Sequence, residues 1–165
     1  MMAQDHVVFI VDDDERVCEA VCDLLASAGR HSVAFGSAAA YMAFAKPDLP
    51  ACLILDIELP DINGLELQVR IADGQHPPIV FVTGHGDIPS SVRAVKRGAI
   101  DFLTKPFSDR ALLAAVDAAI AVDRAARKER LEIGRLRQRL ATLTPREREV
   151  LPLVVSGLLN KQAAT

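Results

Sequence analysis

Five short runs of apolar, largely β-branched residues, each followed by a stretch with helical spacing, constrain this 165-residue chain more than any other feature. His6 to Val11 is the first run, and Glu15 to Ala28 follows it with apolar residues at Val17, Val21, Leu24 and Leu25, closing at Gly29. The layout then repeats: His31 to Phe35 as a strand and Ser37 as the cap of an alanine-rich helix, then Ala51 to Leu55 as a strand and Gly64 to Ala72 as a helix. Pro78 to Val82 predicts a fourth strand, Ile88 to Arg97 a helix stopped by Gly98, and Ile100 to Thr104 a fifth strand. A long helix opens at Ser108, placed as its N-cap. Strands that alternate with helices, and that are apolar without interruption, belong to a parallel sheet covered on both faces. The expected architecture is therefore a five-stranded, doubly wound α/β fold.

In such sheets the working crevice lies at the carboxyl ends of the strands. There the sequence places Asp12, Asp13 and Asp14 after the first strand, Asp56 after the third, Thr83 after the fourth and Lys105 with Pro106 after the fifth. Taken alone, the aspartate triplet reads as helix capping and first-turn acids set favourably against a helix dipole, and Asp14 is assigned that role. Thr83 and Lys105, taken singly, read as ordinary surface residues. Asp56 is different, because a carboxylate closing Leu53-Ile54-Leu55 would be partly desolvated without a partner. Carboxylates gathered from several strand ends repel one another, and a hard divalent cation such as Mg2+ relieves that repulsion while keeping waters that a phosphate can replace. A lysine and a hydroxyl beside them suit phosphate oxygens.

The net charge of -3 conceals an asymmetry: residues 1 to 121 carry 9 Lys+Arg against 17 Asp+Glu, and residues 122 to 165 carry 10 against 5. An acidic first part suits a metal site, and a basic second part is compatible with nucleic acid or with an ordinary arginine-rich exposed helix. Cys18, Cys22 and Cys52 lie inside apolar runs with no C-x-x-C spacing, and read as core fillers. No apolar stretch approaches the ~20 residues of a spanning helix, and residues 1 to 5 lack the features of a signal peptide. A cytoplasmic location without a membrane partner is expected.

Val11-Asp12-Asp13, Leu55-Asp56-Ile57-Glu58-Leu59-Pro60-Asp61-Ile62-Asn63-Gly64, Val82-Thr83-Gly84 and Lys105-Pro106 together resemble the response-regulator receiver family over roughly residues 6 to 120. The resemblance implies a flavodoxin-like, CheY-like receiver in which Asp56 accepts a phosphoryl group from a phosphohistidine on a sensor histidine kinase. It further implies that Asp13 and Asp56 bind Mg2+ directly, that Asp12 holds it through water, and that the backbone carbonyl of Glu58 supplies another ligand. By the same resemblance Lys105 would pair with the phosphate and Thr83 would swing to hydrogen-bond it. The resemblance points to Phe102 as the aromatic whose rotamer follows Thr83, although a lone strand phenylalanine otherwise reads as core. Glu58 and His85, two residues beyond Asp56 and Thr83, match positions at which this family tunes the lifetime of the acyl phosphate. Such a domain is a self-modifying switch and not a turnover enzyme. It takes phosphoryl groups from small donors and loses them slowly on its own.

From Val122 onward, Val122, Ala126, Glu129, Ile133, Leu136, Leu140 and Leu143 alternate in steps of four and three, a heptad seam with one polar intrusion. The seam predicts either a parallel homodimer about a two-fold axis or a single amphipathic helix packed on its own receiver. Thr144, Pro145 and Glu147 then form a helix start, with threonine as N-cap, proline at the first position and glutamate closing a capping box. Pro152 inside that helix is expected to loosen it. Leu143 to Leu151 and Gly157 to Ala164 resemble the opening of the LuxR-type helix-turn-helix domain of FixJ and NarL class regulators. The expected organisation is a receiver at 1 to 121, a helical linker at 122 to 143 and the first part of an all-α DNA-binding domain at 144 to 165. With the recognition helix outside this sequence, sequence-specific DNA reading is expected only in a longer chain, leaving salt-sensitive nonspecific binding through arginines 124 to 148.

Phosphorylation-dependent control of dimerisation and transcription is the leading functional expectation. Two others are a stand-alone receiver or dimerisation module, and a haloacid-dehalogenase-type phosphatase suggested by Asp56-x-Glu58 with Glu58 as general acid. The last leaves Asp12 and Asp13 without a role.

Overall fold

The computed structural model describes residues 4–150 and residue 152. The elements run β1 (Val7–Val11), α1 (Glu15–Ser27), β2 (Ser32–Phe35), α2 (Ala38–Ala43), β3 (Ala51–Asp56), α3 (Gly64–Ile71), β4 (Ile79–Thr83), α4 (Ile88–Lys96), β5 (Asp101–Thr104) and α5 (Asp109–Ala141). All strands are parallel, in the order β2-β1-β3-β4-β5. The expected doubly wound α/β sheet is present, with every strand and helix where apolar patterning placed it.

Burial explains why the strands read as continuous apolar runs. Every residue of β1, β3 and β4 is buried. Alternate side chains feed two cores, one containing Val7, Phe9, Leu53, Leu55 and Phe81, the other Val8, Ile10, Ile54, Val80 and Leu112. Period-two alternation survives inside each strand, but both faces are covered by helices. Helix starts follow their side-chain caps: Asp14 accepts from Arg16 N, Ser37 from Ala40 N, Asn63 from Leu65 N, Asp87 from Ser90 N and Ser108 from Ala111 N. The first and fourth helices end near Gly29 and Gly98, both at positive φ, where a residue bearing a Cβ would be strained.

The chain forms two compact units, Met1–Ala125 and Ala126–Thr165. In the first, α5 contributes Leu112, Ala115, Val116, Ala119, Ile120 and Asp123 as buried residues. The helix passes through residue 121 without a break. Asp123, expected to be linker, accepts a 2.8 Å hydrogen bond from the buried amide of Ala51 at the start of β3. In the second unit, the seam residues Ile133, Leu136 and Leu140 are exposed.

Residues 145–150 are helical, and the capping box is formed as expected: Glu147 N donates to Thr144 Oγ1 at 3.2 Å, and Thr144 N donates to Glu147 Oε1 at 3.1 Å. Pro152 is also helical. The continuation expected through Leu151 and Leu153, and the Gly157 to Ala164 segment, lie outside the described residues. No helix among the described residues is long and apolar enough to cross a membrane.

Candidate functional site

Strand register assembles the polar cluster. β1 and β3 pair with Val11 opposite Leu55, so Asp12 and Asp56 emerge side by side at the carboxyl edge. β3 and β4 pair with Asp56 opposite Val82, which sets Thr83 one residue further along. β4 and β5 pair with Thr83 opposite Thr104, which makes Lys105 the next residue at the same edge. Asp56 and Thr83 are the last residues of their strands, and Asp12 and Lys105 the first beyond theirs.

The cluster is largely sunk into the protein. Asp12 is 2% exposed, Asp56 6% and Thr83 1%, whereas Asp13 is exposed. Asp12, Asp13 and Asp56 each offer one carboxylate oxygen, and these three oxygens lie within 4.8 Å of one another. Lys105 reaches over this group, with Nζ 2.8 Å from Asp12 Oδ2 and 3.2 Å from Asp56 Oδ2. Asp12 Oδ1 accepts from Asp14 N at 2.9 Å, and Asp56 Oδ1 from Glu58 N at 3.1 Å. Each deep carboxylate thus has one oxygen fixed by backbone and the other facing the lysine.

Burial, followed by the negative charge of Asp12, raises the Asp56 carboxyl above its ordinary range, with the Glu58 amide and Lys105 opposing the shift. Burial also works against the charged form of Lys105. Its hydrogen bond with Asp12 and its attraction to both aspartates outweigh that effect and hold the ammonium above its usual value. A crowded carboxylate beside a committed cation remains short of positive charge, and this oxygen-only donor set fits a hard divalent ion.

The loops beyond β3 and β4 bring in the remaining predicted residues. Thr83 Oγ1 accepts from His85 N at 3.2 Å, and His85 Nδ1 lies 3.1 Å from Glu58 Oε1. Phe102 is half-buried, with its ring centroid 6.1 Å from that of Phe81. Gly64 is required where it stands, because a Cβ there would fall 2.3 Å from the Asp56 carbonyl oxygen. Lys105 N donates to Thr83 O at 2.7 Å, and the Lys105-Pro106 peptide is cis.

The sequence matches the family model of the response regulator receiver domain over residues 8–117. The chain belongs to the response regulator receiver family. It is 46% identical over 159 residues to Nodulation protein W of Bradyrhizobium diazoefficiens, covering 96% of this chain and 70% of that protein. Against the Transcriptional regulatory protein FixJ of Azorhizobium caulinodans it is 42% identical over 166 residues, covering 99% of this chain and 78% of the relative. The solved structure of the response regulator StyR superposes with a TM-score of 0.82 at 43% identity, covering 97% of this chain and 81% of that one. As a response regulator, the chain is a phosphoacceptor regulatory switch of the two-component type and not a classical enzyme. The dehalogenase-type reading gains no support from this membership.

Three features of the receiver escaped the sequence reading. The Glu58–His85 pair joins residues 27 positions apart through loop geometry, and no local pattern announces it. Asp61 occupies the recognised motif, yet its bonds to α2 depend on a neighbour more than twenty residues away. Asp123 carries no signal, since an aspartate on a charged helix reads as a solvent residue.

Proposed function

We propose that Asp56 is the phosphoryl acceptor of a transcription-controlling response regulator, with phosphorylation governing self-association. The observation that carries this reading is the Asp56 carboxylate, 6% exposed, facing the Lys105 ammonium at 3.2 Å beside Asp12 and Asp13. An Asp56 oxygen attacks the phosphorus of a phosphohistidine on a sensor histidine kinase. The phosphorus–nitrogen bond breaks, the imidazole leaves, and an acyl phosphate remains on the receiver. Such transfer requires little covalent assistance, so positioning and charge neutralisation dominate. Asp13 and Asp56 would hold Mg2+ directly, with Asp12 acting through water and the Glu58 carbonyl as a further ligand, and the ion would supply part of that neutralisation. Lys105 supplies the rest once its ammonium turns from the two carboxylates to the phosphate. Small donors such as acetyl phosphate serve the same acceptor, and slow hydrolysis resets it.

Thr83 reads the new charge. Its hydroxyl, now accepting from His85 N, turns to donate to the phosphate, and Phe102 follows into the space beside it. Glu58 and His85 set the lifetime by screening the acyl phosphate from water. The functional divisions are a receiver at 1 to 121, a linker at 122 to 143 and the start of a LuxR-type output domain from 144. Homodimerisation follows phosphorylation or uses the exposed linker seam, while sequence-specific DNA reading belongs to a complete output domain. A cytoplasmic setting fits a kinase-driven transcription regulator.

Incubation with acetyl phosphate and Mg2+ followed by intact-mass measurement tests the proposal. One phosphoryl adduct on the wild type, absent from Asp56→Asn and abolished by a chelator, is expected. No adduct on the wild type, or equal adducts on both proteins, overturns it.

A further inference from the structure

Asp61 takes no part in the transfer described above, yet its carboxylate spans two segments of the receiver. It lies in the loop between β3 and α3, the loop that carries the Glu58 carbonyl. Its Oδ1 accepts from Ala38 N at 3.3 Å, and its Oδ2 accepts from Ala39 N at 2.9 Å. These are the first two amides of α2, groups that no carbonyl within the helix can reach. Ser37 Oγ accepts the third, from Ala40 N at 3.2 Å. The two Asp61 bonds hold its carboxyl below the ordinary range, the Ala39 amide acting most strongly.

The same segment also anchors the other arm of the site. Phe35 O, three residues before α2, accepts from Asp12 N at 3.1 Å. Residues 35 to 39 therefore fix the start of the Asp12-Asp13 arm through Phe35 and the Glu58-bearing loop through Asp61. The loop's flanks are secured independently by Ile57 and Ile62, both buried, and by a 2.7 Å bond from Gly64 N to Ile57 O. Between those flanks, Glu58 reaches His85 and Leu59 packs on the core, and Asp61 adds the two hydrogen bonds that tie this stretch to α2.

We infer that Asp61 is a positioning residue for metal binding, holding the Glu58 carbonyl in register with Asp12 and Asp13 by bridging its loop to the first turn of α2. This role rests on the proposed Mg2+ site. Loss of a group that orients a metal ligand typically weakens affinity by about tenfold or more.

The test is calorimetric titration of Mg2+ into the full 165-residue chain and its D61A, D61N and S37A variants, with circular dichroism melts alongside. D61A is expected to raise the Mg2+ Kd about tenfold. D61N, which keeps one acceptor oxygen, is expected to fall between D61A and wild type, and it carries the comparison if D61A unfolds. S37A removes the third cap and leaves both Asp61 acceptors in place, so its Kd should match wild type. An unchanged Kd in both Asp61 variants overturns the inference. So does an equal loss in S37A, because helix fraying then accounts for the effect. Absence of Mg2+ binding by the wild type overturns the metal reading itself, and this role with it.

Discussion

His85 Nδ1 lies 3.1 Å from Glu58 Oε1, and the pair closes a bridge between the loops that follow β3 and β4. Both side chains are largely exposed, so the bridge lies at the protein surface. Exposed polar pairs are weak individually, and the effect of breaking this one is bounded accordingly. His85→Ala is expected to speed loss of the phosphoryl group by up to about fivefold, with Mg2+ affinity nearly unchanged. Decay of the phosphorylated intact mass after removal of donor measures this, and an unchanged decay removes the lifetime role.

Asp56 is predicted to lower stability in the metal-free protein. Its folded-state carboxyl is raised by burial and by Asp12, so the native state holds its proton to higher pH than the unfolded chain does. The contribution of this group therefore falls as pH rises from the ordinary carboxylate range through the raised value. Above that window the ionised group disfavours the fold. Asp56→Asn should accordingly melt a few degrees higher than wild type at neutral pH without Mg2+, and saturating Mg2+ should narrow the gap. A lower melting temperature for the variant contradicts this account.

The Asp123 carboxylate secures the start of β3 from α5 through the Ala51 amide. Removing the acceptor leaves a buried N–H unsatisfied, a loss of about 1–3 kcal/mol. Denaturant unfolding should show that loss in Asp123→Ala and a smaller one in Asp123→Asn, which keeps an oxygen in place. Equal stability of all three proteins would show that the bond contributes nothing.

The linker seam makes a separate prediction. Leu136 and Leu140 are exposed, and a seam that drives association should fail when a charge is placed in it. Leu136→Glu is expected to shift sedimentation of the phosphorylated chain toward monomer while leaving the mass adduct on the receiver intact. Unchanged association assigns dimerisation to another surface.

Most of the fold was legible because doubly covered parallel strands must be apolar throughout, and β1, β3 and β4 show this without interruption. The caps Asp14, Ser37 and Ser108 were equally local, each bonding an amide two or three residues ahead. The cluster of Asp12, Asp56, Thr83 and Lys105 was legible for a different reason: all four sit at the same end of neighbouring strands, and topology brings them together. What the sequence hid was set by contacts across long separations. Lys105 bridging to Asp12 spans 93 residues, and Asp123 reaching Ala51 spans 72. Neither partner can be chosen from spacing. The direction of the Asp56 shift was partly visible in Leu53-Ile54-Leu55, but the contribution of Asp12 required the pairing of Val11 with Leu55.

The central claim, that Asp56 carries the phosphoryl group, is tested most directly by trapping it chemically. Borohydride reduces an acyl phosphate to the alcohol, so a phosphorylated aspartate becomes homoserine and can be located by peptide sequencing in a mass spectrometer. After treatment with acetyl phosphate and Mg2+, homoserine is predicted at position 56 and nowhere else. Homoserine at Asp12, Asp13 or any other carboxylate, with residue 56 unmodified, would contradict the account.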